Sequence, residues 1–366
     1  MIKYLGSKRT LAPAILALMR GFGGVRTVVD LFAGTSRVGH TLKAAGFRVL
    51  ANDHNAYAAT LARCYVAADH DVISAPAEHL LRELQALPGR AGWFTETYCA
   101  KSRFFQPKNG ARIDAIREAI ARLALPPELE AVALVALMEA ADRVDSTTGV
   151  QMAYLKQWSR RSHNDLQLRL PELLPRAVHG KGEAHCLDAL TAACALAGDA
   201  AYVDPPYNQH SYLGNYHVWE SLVRWDKPAT FGVACKRVDC QQRQSVFNSR
   251  PRCALALRDV LRALRVDRVV VSYNDEGYVS RAAIEDMLAG LWNGDADVTT
   301  IAHDHRRYVG AQIGIHNPRG EKVGTVGRLR NTEYLYVAER RGAERPFAAA
   351  LARQGAAMGL VAMDGA

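Results

Sequence analysis

One stretch near the N-terminus limits the folds open to this chain more than any other. An apolar, β-branched run over residues 27–32 ends in a turn at Gly34, and a helical pattern covers residues 38–45. A second apolar run, residues 47–51, then ends in an acidic residue, Asp53. A strand, a glycine turn, a helix and a further strand form a βαβ unit, which needs a parallel sheet. The stretch therefore predicts an α/β protein with a mostly parallel sheet.

The rest of the chain divides into three parts by its periodicity. Residues 71–179 show helical patterns, at 111–123 and 128–144, without the alternation of strands and helices that returns after residue 180. Further strands are predicted at 182–188, 201–203, 268–273, 298–302 and 334–338, and an irregular or hairpin segment at 308–330. We expect a core formed by residues 1–70 and 180–340, an inserted, mainly helical domain at 71–179, and a weakly structured tail at 341–366.

Charge and cysteine usage narrow the class of partner and compartment. The formal net charge of +9 favours a polyanionic partner. The seven cysteines are an odd number without a C-x-x-C pair, which argues against a disulfide framework and a zinc site and suits a reducing cytoplasm. We expect no metal. The chain shows neither an apolar run long enough to span a membrane nor a secretory signal at its start.

The turn after the first strand is typical of a nucleoside site without a pyrophosphate. Its glycines, Gly34 and Gly39, do not match G-x-G-x-x-G, and no P-loop lysine follows. Asp53 nevertheless ends the next strand, where an acidic residue binds ribose hydroxyls in nucleotide-binding βαβ units. With Phe32 beside it, the turn suits S-adenosylmethionine. The alternative is a tight strand–helix turn of any α/β protein.

The four residues Asp204-Pro205-Pro206-Tyr207 follow a short apolar run and place acceptors beside a flat ring. The exocyclic amine of a nucleobase is a poor nucleophile because its lone pair is delocalised into the ring. Asp204 and the Pro205 carbonyl, held rigidly by the prolines, can accept hydrogen bonds from both N–H groups and free that lone pair. Tyr207 can stack on the base. The alternative is an ordinary proline turn after a strand.

Four motifs in order resemble the adenine-specific DNA methyltransferases related to Dam methylase. They are Lys3-Tyr4-Leu5-Gly6-Ser7-Lys8, Asp30-Leu31-Phe32-Ala33-Gly34, Asn52-Asp53 and Asp204-Pro205-Pro206-Tyr207. The resemblance covers about residues 1–70 and 180–280 and is weak over the insertion. It implies a Rossmann-like methyltransferase core with an inserted target-recognition domain, and S-adenosylmethionine as cofactor. Ser36 stands where the family often has a second glycine.

The resemblance also assigns roles to single residues at the cofactor. Tyr4 and Lys8 would contact it, Phe32 and Gly34 would shape its pocket, and Asp53 would hold the ribose. Asp188 would accept from the adenine amino group of the cofactor, unless it is a helix N-cap. Asp204 would lie between the cofactor and the target base.

A target base cannot be reached inside a duplex, so we expect it to be flipped out against Tyr207. Asn208 is assigned to the flipped nucleotide, unless residues 208–219 form a loop folded over the core. Tyr273 and Asn274 end another strand and are assigned to the base pocket, unless they form a surface turn. DNA contacts are expected from basic residues of the insertion and of the later loops, foremost Lys156 and Arg160, with Arg103, Lys108, Arg161, Arg306, Arg307, Arg319, Lys322, Arg328 and Arg330 as further candidates.

The sequence leaves more than one function open. The leading hypothesis is methylation of adenine N6 within a specific sequence of double-stranded DNA. The nearest alternative is cytosine N4, for which serine more often replaces the aspartate at position 204. A non-catalytic DNA-binding protein on the same scaffold is a second alternative. A nicotinamide-dependent oxidoreductase is opposed by the missing G-x-G-x-x-G motif. A cognate restriction endonuclease is a candidate partner, and we expect a monomer or weak dimer.

Overall fold

The computed structural model describes residues 1–6, 8–306, 330–342 and 361–363. These residues group into two compact units, which we call unit 1 and unit 2. Unit 1 contains Met1–Arg9, Asp30–Ala192 and His210–Ser245, and unit 2 contains Thr10–Val29, Ala193–Gln209 and Val246–Ala366, as far as these are described. The predicted hairpin segment and most of the predicted tail lie outside the described residues.

The α-helices of the described chain are α1 Ala12–Gly21, α2 Arg37–Ala44, α3 Ala56–Ala62, α4 His70–Ala86, α5 Trp93–Thr95, α6 Pro107–Arg122, α7 Pro127–Arg143, α8 Ala189–Ala195, α9 Tyr212–Asn215, α10 His217–Arg224, α11 Cys253–Ala263 and α12 Arg281–Ala289. Helical turns of other types lie at Arg63–Ala67, Glu96–Lys101, Arg160–His163, Val238–Gln241, Val246–Asn248 and Leu291–Gly294. The strands are β1 Thr27–Asp30, β2 Arg48–Asn52, β3 Glu183–His185, β4 Ala200–Val203, β5 Thr230–Phe231, β6 Lys236–Arg237, β7 Arg268–Asn274, β8 Ala296–Arg306, β9 Arg330–Arg340 and β10 Val361–Met363. None of the described helices is long and apolar enough to cross a membrane.

Unit 2 contains most of the strands, in the order β10-β8-β9-β7-β4-β1. Strands β4 and β7 run parallel, with Val203 opposite Val271. Strand β9 is antiparallel to both β7 and β8, and β10 is antiparallel to β8. All four residues of β4 are buried, which explains why its sequence is a continuous apolar run. Because β4 and β7 are parallel neighbours, the residues that follow their carboxyl ends lie at the same edge of the sheet.

Unit 1 combines a parallel strand pair with a helical core. Strand β2 pairs in parallel with β3, with Asn52 opposite His185. Helix α7 is buried at almost every position from Ala131 to Ala141, and its many alanines leave room for neighbouring helices to approach closely. Helices α6 and α7 both begin with a proline in the first turn, which is the favoured helical position for proline. Both helices had been predicted from periodicity, to within four residues at their ends.

The predicted fold class is confirmed: the chain has a mixed sheet with a parallel part, flanked by helices, as in Rossmann-like methyltransferases. The predicted strands after residue 180 are present as β3, β4, β7, β8 and β9. The short hairpin β5–β6 was not predicted. Residues 71–179 belong to unit 1 together with the N-terminal segment. Their role as a recognition domain stays a prediction.

Candidate active site

The N-terminal segment of unit 1 is held by an aromatic cluster. The ring of Tyr4 stacks on Tyr212, with centroids 5.3 Å apart, and on Tyr216, at 4.5 Å. Its hydroxyl shares a 3.1 Å hydrogen bond with the hydroxyl of Tyr57, and the Leu5 N–H donates to the Tyr216 hydroxyl over 2.5 Å. Burial raises the pKa of the Tyr4 phenol well above its usual range. The Tyr4 phenol is therefore uncharged, and its ring is held in place by the three neighbouring tyrosines.

Two lysines of the same segment also have defined environments. The Lys3 backbone N–H donates to the Asp142 carboxylate over 3.1 Å, and the Lys3 ammonium donates to the Asp142 carbonyl over 2.7 Å and to the Asp145 carboxylate over 3.1 Å. Lys8 is buried, at 8% exposure, which is not what a solvated surface lysine would show. The N-terminal segment is thus bonded to helix α7 through Lys3 and buried in the protein at Lys8.

The Lys3–Asp142 contact predicts a pH-dependent stability difference. Burial raises the pKa of Asp142 to about 6, against the opposing effect of Lys3. A carboxyl with a raised folded pKa stabilises the protein below its unfolded pKa, and this contribution is lost as pH rises through about 6. Asp142→Asn keeps an acceptor but cannot ionise. We therefore expect its stability relative to wild type to improve between pH 4 and pH 8 by about 2.5 kcal/mol.

The measurement is the melting temperature of both proteins across this pH range. Titrating groups distant from Asp142 are common to the two proteins and cancel, so the difference reports Asp142 together with its interactions with Lys3 and Asp145. Asp286→Asn, at an exposed position of α12, serves as control and should show a constant difference. A constant difference for Asp142→Asn as well would contradict the assigned pKa.

The turn after β1 brings three of the predicted cofactor residues together. The Gly34 N–H donates to the Asp53 carboxylate over 3.0 Å. Gly34 has a φ of +51°, and a Cβ there would lie 3.6 Å from the Tyr4 ring. The second Asp53 oxygen accepts from the Asn55 N–H over 2.9 Å and from the Asn55 amide over 3.2 Å. Tyr4, Gly34 and Asp53 therefore form one cluster, and Phe32 lies in the same turn, partly buried.

The polar groups around Asp53 fit a ribose. An ionised carboxylate offers about four lone-pair directions, so three N–H donors leave Asp53 with acceptor capacity. Among the described residues, the buried Oδ1 of Asn55 has no hydrogen-bond partner. Burial raises the pKa of Asp53, and the surrounding N–H donors oppose that rise. Such an acceptor-rich, buried set suits the hydroxyl donors of a nucleoside.

Asp188 has the geometry of a helix N-cap, the alternative to its predicted contact with the cofactor. It is exposed, and its carboxylate accepts from the Leu190 N–H over 2.9 Å in the first turn of α8. This is how a helix-capping carboxylate satisfies free N–H groups. A contact of Asp188 with the cofactor stays a prediction.

Asn52 was quoted in the sequence motif without a role, and the structure supplies one. Its amide donates to the carbonyls of Leu31 and Leu187, each over 3.2 Å, and accepts from the Leu187 N–H over 3.0 Å. One buried side chain thus ties the turn after β1 to the residue before Asp188. An amide can do this because it both donates and accepts, which a carboxylate cannot.

In unit 2, the residues Asp204-Pro205-Pro206-Tyr207, which we call the ledge, leave the carboxyl end of β4. The Tyr207 carbonyl accepts from the Tyr278 N–H over 3.0 Å. The Tyr207 ring meets Tyr273 edge-on, with centroids 5.8 Å apart and planes at 65°. The Asn208 carbonyl accepts from the Asn248 amide over 2.6 Å. The backbone after the ledge is therefore fixed by its neighbours.

Tyr273 and Asn274, at the end of β7, are both buried, so they do not form a surface turn. The Tyr273 hydroxyl accepts from the Val279 N–H over 3.3 Å, and burial raises its pKa to about 12. The Asn274 side chain accepts from the Glu276 N–H over 3.0 Å. A Cβ at Gly277 would lie only 2.1 Å from the Tyr273 ring. Gly277, which sequence reasoning missed, makes room for the ring that supports Tyr207.

The candidate DNA contacts of the insertion have different environments. Lys156 and Arg160 are exposed. Arg161 donates to the buried Asp145, and Lys108 donates to Asp165, so both have partners within the chain. Arg103 donates to the Lys156 carbonyl over 2.9 Å. The side chains of Arg306, Arg307, Arg319, Lys322, Arg328 and Arg330 lie outside the described residues.

Comparison with known proteins adds to this geometry. The model of the D12 class N6 adenine-specific DNA methyltransferases matches residues 4–279. The chain is 27% identical over 351 residues to the Type II methyltransferase M.NlaIII of Neisseria lactamica, covering 93% of this chain and 99% of that protein. It is 27% identical over 304 residues to the modification methylase StsI of Streptococcus sanguinis, covering 78% of this chain and 46% of that protein. It is also 26% identical to the Type II methyltransferase M.FokI of Planomicrobium okeanokoites. The chain spans about half the length of the last two relatives.

The matched region contains the first motif from Tyr4 onward, the other three motifs in full, and the strands that carry them. The family description names adenine N6, so the resemblance drawn from the motifs is confirmed and neither the cytosine alternative nor the non-catalytic one gains support. Since the family model covers well over half of the sequence, this chain belongs to the D12 class of N6 adenine-specific DNA methyltransferases.

Proposed function

We propose that this chain transfers a methyl group from S-adenosylmethionine to the N6 amine of adenine within a specific sequence of double-stranded DNA. The observation that carries the proposal is the ledge at the end of β4, supported from the end of the parallel strand β7 in a member of this family. The base reaches the ledge by flipping out of the duplex.

The ledge activates the amine through hydrogen bonds. The Asp204 carboxylate and the Pro205 carbonyl accept from the two N–H groups, which draws the nitrogen toward sp³ and frees its lone pair. Tyr207 stacks on the base, with Tyr273 behind its edge. Asn208 and Asn274 complete the pocket. Positioning and these preorganised acceptors are the source of the rate enhancement, without a covalent intermediate.

S-Adenosylmethionine supplies an electrophilic methyl group when it is bound. In this proposal the residues of unit 1 that hold it are Tyr4, Lys8, Phe32, Gly34, Asp53 and Asp188. The acceptor set of Asp53 and Asn55 supports the ribose assignment. The buried Lys8 and the fixed ring of Tyr4 support a role of the N-terminal segment as a pocket wall.

The DNA backbone would be bound by exposed basic residues, foremost Lys156 and Arg160. In keeping with the names of its relatives, we propose that the protein modifies DNA alongside a cognate restriction endonuclease. We further propose that it acts in the cytoplasm as a monomer or weak dimer.

The experiment combines the protein, duplex DNA and methyl-labelled S-adenosylmethionine, followed by digestion to nucleosides and identification of the product by mass. We expect label in N6-methyldeoxyadenosine and none without protein. Label in N4-methyldeoxycytidine would overturn the choice of base. Absence of label from DNA of varied sequence would refute the proposed function.

A further inference from the structure

The segment from Ser146 to Ser162, which we call the 146–162 loop, is irregular apart from a final helical turn. It contains three cationic residues, Lys156, Arg160 and Arg161, and no acidic residue. Irregular segments of this length in a compact protein are usually either disordered or functional. The contacts of this loop show that it is well ordered.

Buried polar groups close the neck of the loop. The Asp145 carboxylate, 2% exposed, accepts from the Arg161 guanidinium over 2.8 Å and from the Thr147 hydroxyl over 2.5 Å. The Ser146 carbonyl accepts from the Leu155 N–H over 2.9 Å. Arg161 therefore stabilises the loop itself.

Gln151 fixes the middle of the loop to the segment that follows the ledge in sequence. Its N–H donates to the Asn215 carbonyl over 2.7 Å, and its side-chain oxygen accepts from the Val218 N–H over 2.9 Å in the first turn of α10. The His217 Nε2 lies 2.9 Å from the Gln151 carbonyl. Burial lowers the pKa of His217 to about 3, so the imidazole is neutral and its Nε2–H is the donor in this contact. Gln151 itself is 3% exposed.

The opposite side of the loop faces solvent with its charges. Lys156 and Arg160 are exposed. Arg103 braces the loop from beneath, because it donates to the Lys156 carbonyl and its guanidinium lies 4.8 Å from the centre of the Trp158 ring. A fixed backbone thus presents two exposed, positively charged side chains. This arrangement complements the phosphates of a duplex.

We propose that Gln151 is a positioning residue for DNA binding, which holds the 146–162 loop as a preformed surface for the phosphate backbone. Gln151 does not touch the DNA and acts through Lys156 and Arg160. The proposal rests on the proposed function and adds to it how the phosphate-contacting residues are placed. Preorganisation of the loop lowers the entropy lost when DNA binds.

The first test compares variants of Gln151 in steady-state methylation of duplex DNA. Gln151→Leu removes the acceptor for the Val218 N–H at nearly constant volume, and we expect the KM for DNA to rise about tenfold with little change in kcat or in the KM for S-adenosylmethionine. Gln151→Glu keeps an acceptor that a helix N-terminus favours, and should restore nearly wild-type values. Gln167→Leu, at an exposed position, is the matched control.

Gln151→Asn keeps the amide but shortens the side chain, and should raise the KM for DNA as Gln151→Leu does. It replaces that variant if the leucine protein does not fold, as judged by circular dichroism. A wild-type KM for DNA in the folded variant would overturn the proposal. So would an equal rise in both KM values, because that would indicate a general loss of structure.

The second test is a double-mutant cycle with Lys156→Ala. Alone, this change should weaken DNA binding several-fold and reduce the slope of log affinity against log salt by about one. In the Gln151→Leu background its effect should be smaller, because the displaced loop no longer holds Lys156 at the phosphate. Fully multiplicative effects would refute the coupling. If wild-type protein methylates no DNA, the proposed function and this inference fall together, whereas a failure confined to the variants refutes only the inference.

Discussion

Replacing Asp204 with alanine should abolish methyl transfer while S-adenosylmethionine still binds, at least in part. The substitution removes the carboxylate that accepts from the target amine, and the amine lone pair then stays delocalised in the ring. Loss of one preorganised group in a catalytic site costs about 10²–10³ in kcat, and loss of a group that activates the nucleophile can cost more. We therefore expect kcat to fall by about 10³ or more.

The measurements are single-turnover methyl transfer and calorimetric binding of the cofactor. Asp286→Ala, an exposed aspartate of α12 in the same unit, is the control and should behave as wild type in both. Unchanged turnover of Asp204→Ala would refute the role of the carboxylate. Complete loss of cofactor binding would instead assign Asp204 mainly to the cofactor.

Gly277→Ala should impair catalysis by displacing Tyr273, the ring that packs against Tyr207 of the ledge. The added methyl group would lie 2.1 Å from Cε1 and 2.8 Å from Cζ of Tyr273. Both distances are too short for non-bonded carbon atoms. The ring cannot move aside cheaply, because it is 1% exposed and its hydroxyl is bonded to the Val279 N–H. Either the Tyr273 ring or the backbone at position 277 must therefore shift, and we expect the contact between Tyr273 and Tyr207 to be disturbed. We expect a loss of stability of about 1–3 kcal/mol and a fall in kcat of at least about tenfold.

The control is Gly290→Ala, at the end of α12. A Cβ there meets only ordinary contacts, the nearest at 3.5 Å, and its backbone is in the right-handed helical region. This variant should keep wild-type activity and stability within error, measured by denaturant unfolding and steady-state kinetics. Wild-type stability and kcat in Gly277→Ala as well would contradict the role of Tyr273 as the support of Tyr207.

The parts of the fold that follow from local pattern were predictable. Helices α6 and α7 are long and periodic, and β4 and β7 are continuous apolar runs, so each was located before the structure. The ledge is predicted from four consecutive residues whose types suit its chemistry, and its catalytic role stays a prediction. The hairpin β5–β6 was missed because each strand has only two residues, too few to show a period.

The supporting residues of the site could not be predicted, because their partners are distant in sequence. Gln151 bonds to residues 64 to 67 positions away, and Lys3 to residues 139 and 142 positions away. No local pattern marks a glutamine that caps a helix from another segment. Gly277 was missed for a related reason. Its backbone conformation does not require glycine, and the need for glycine is visible only from the Tyr273 ring packed against it.

Asp188 and Arg161 show the opposite limit. Their residue types suited a cofactor and a phosphate, and the structure gives each a partner inside the protein, at a helix start and at Asp145. A carboxylate or guanidinium looks the same in sequence whether its partner is a ligand or the chain itself. The contact of Asp188 with the cofactor and that of Arg161 with DNA stay predictions.

The attachment of the N-terminal segment also has a consequence for biosynthesis. Tyr4 and Leu5 rest on Tyr212 and Tyr216, more than 200 positions later in the chain. At translation rates of about 5–20 residues per second, the first residues leave the ribosome roughly 10–40 seconds before their partners exist. The segment can dock only when more than half of the protein has been made. The nascent chain therefore carries its N-terminal segment, which is predicted to contact the cofactor, without its aromatic packing partners. A ribosome stalled before residue 212 would leave the segment without them.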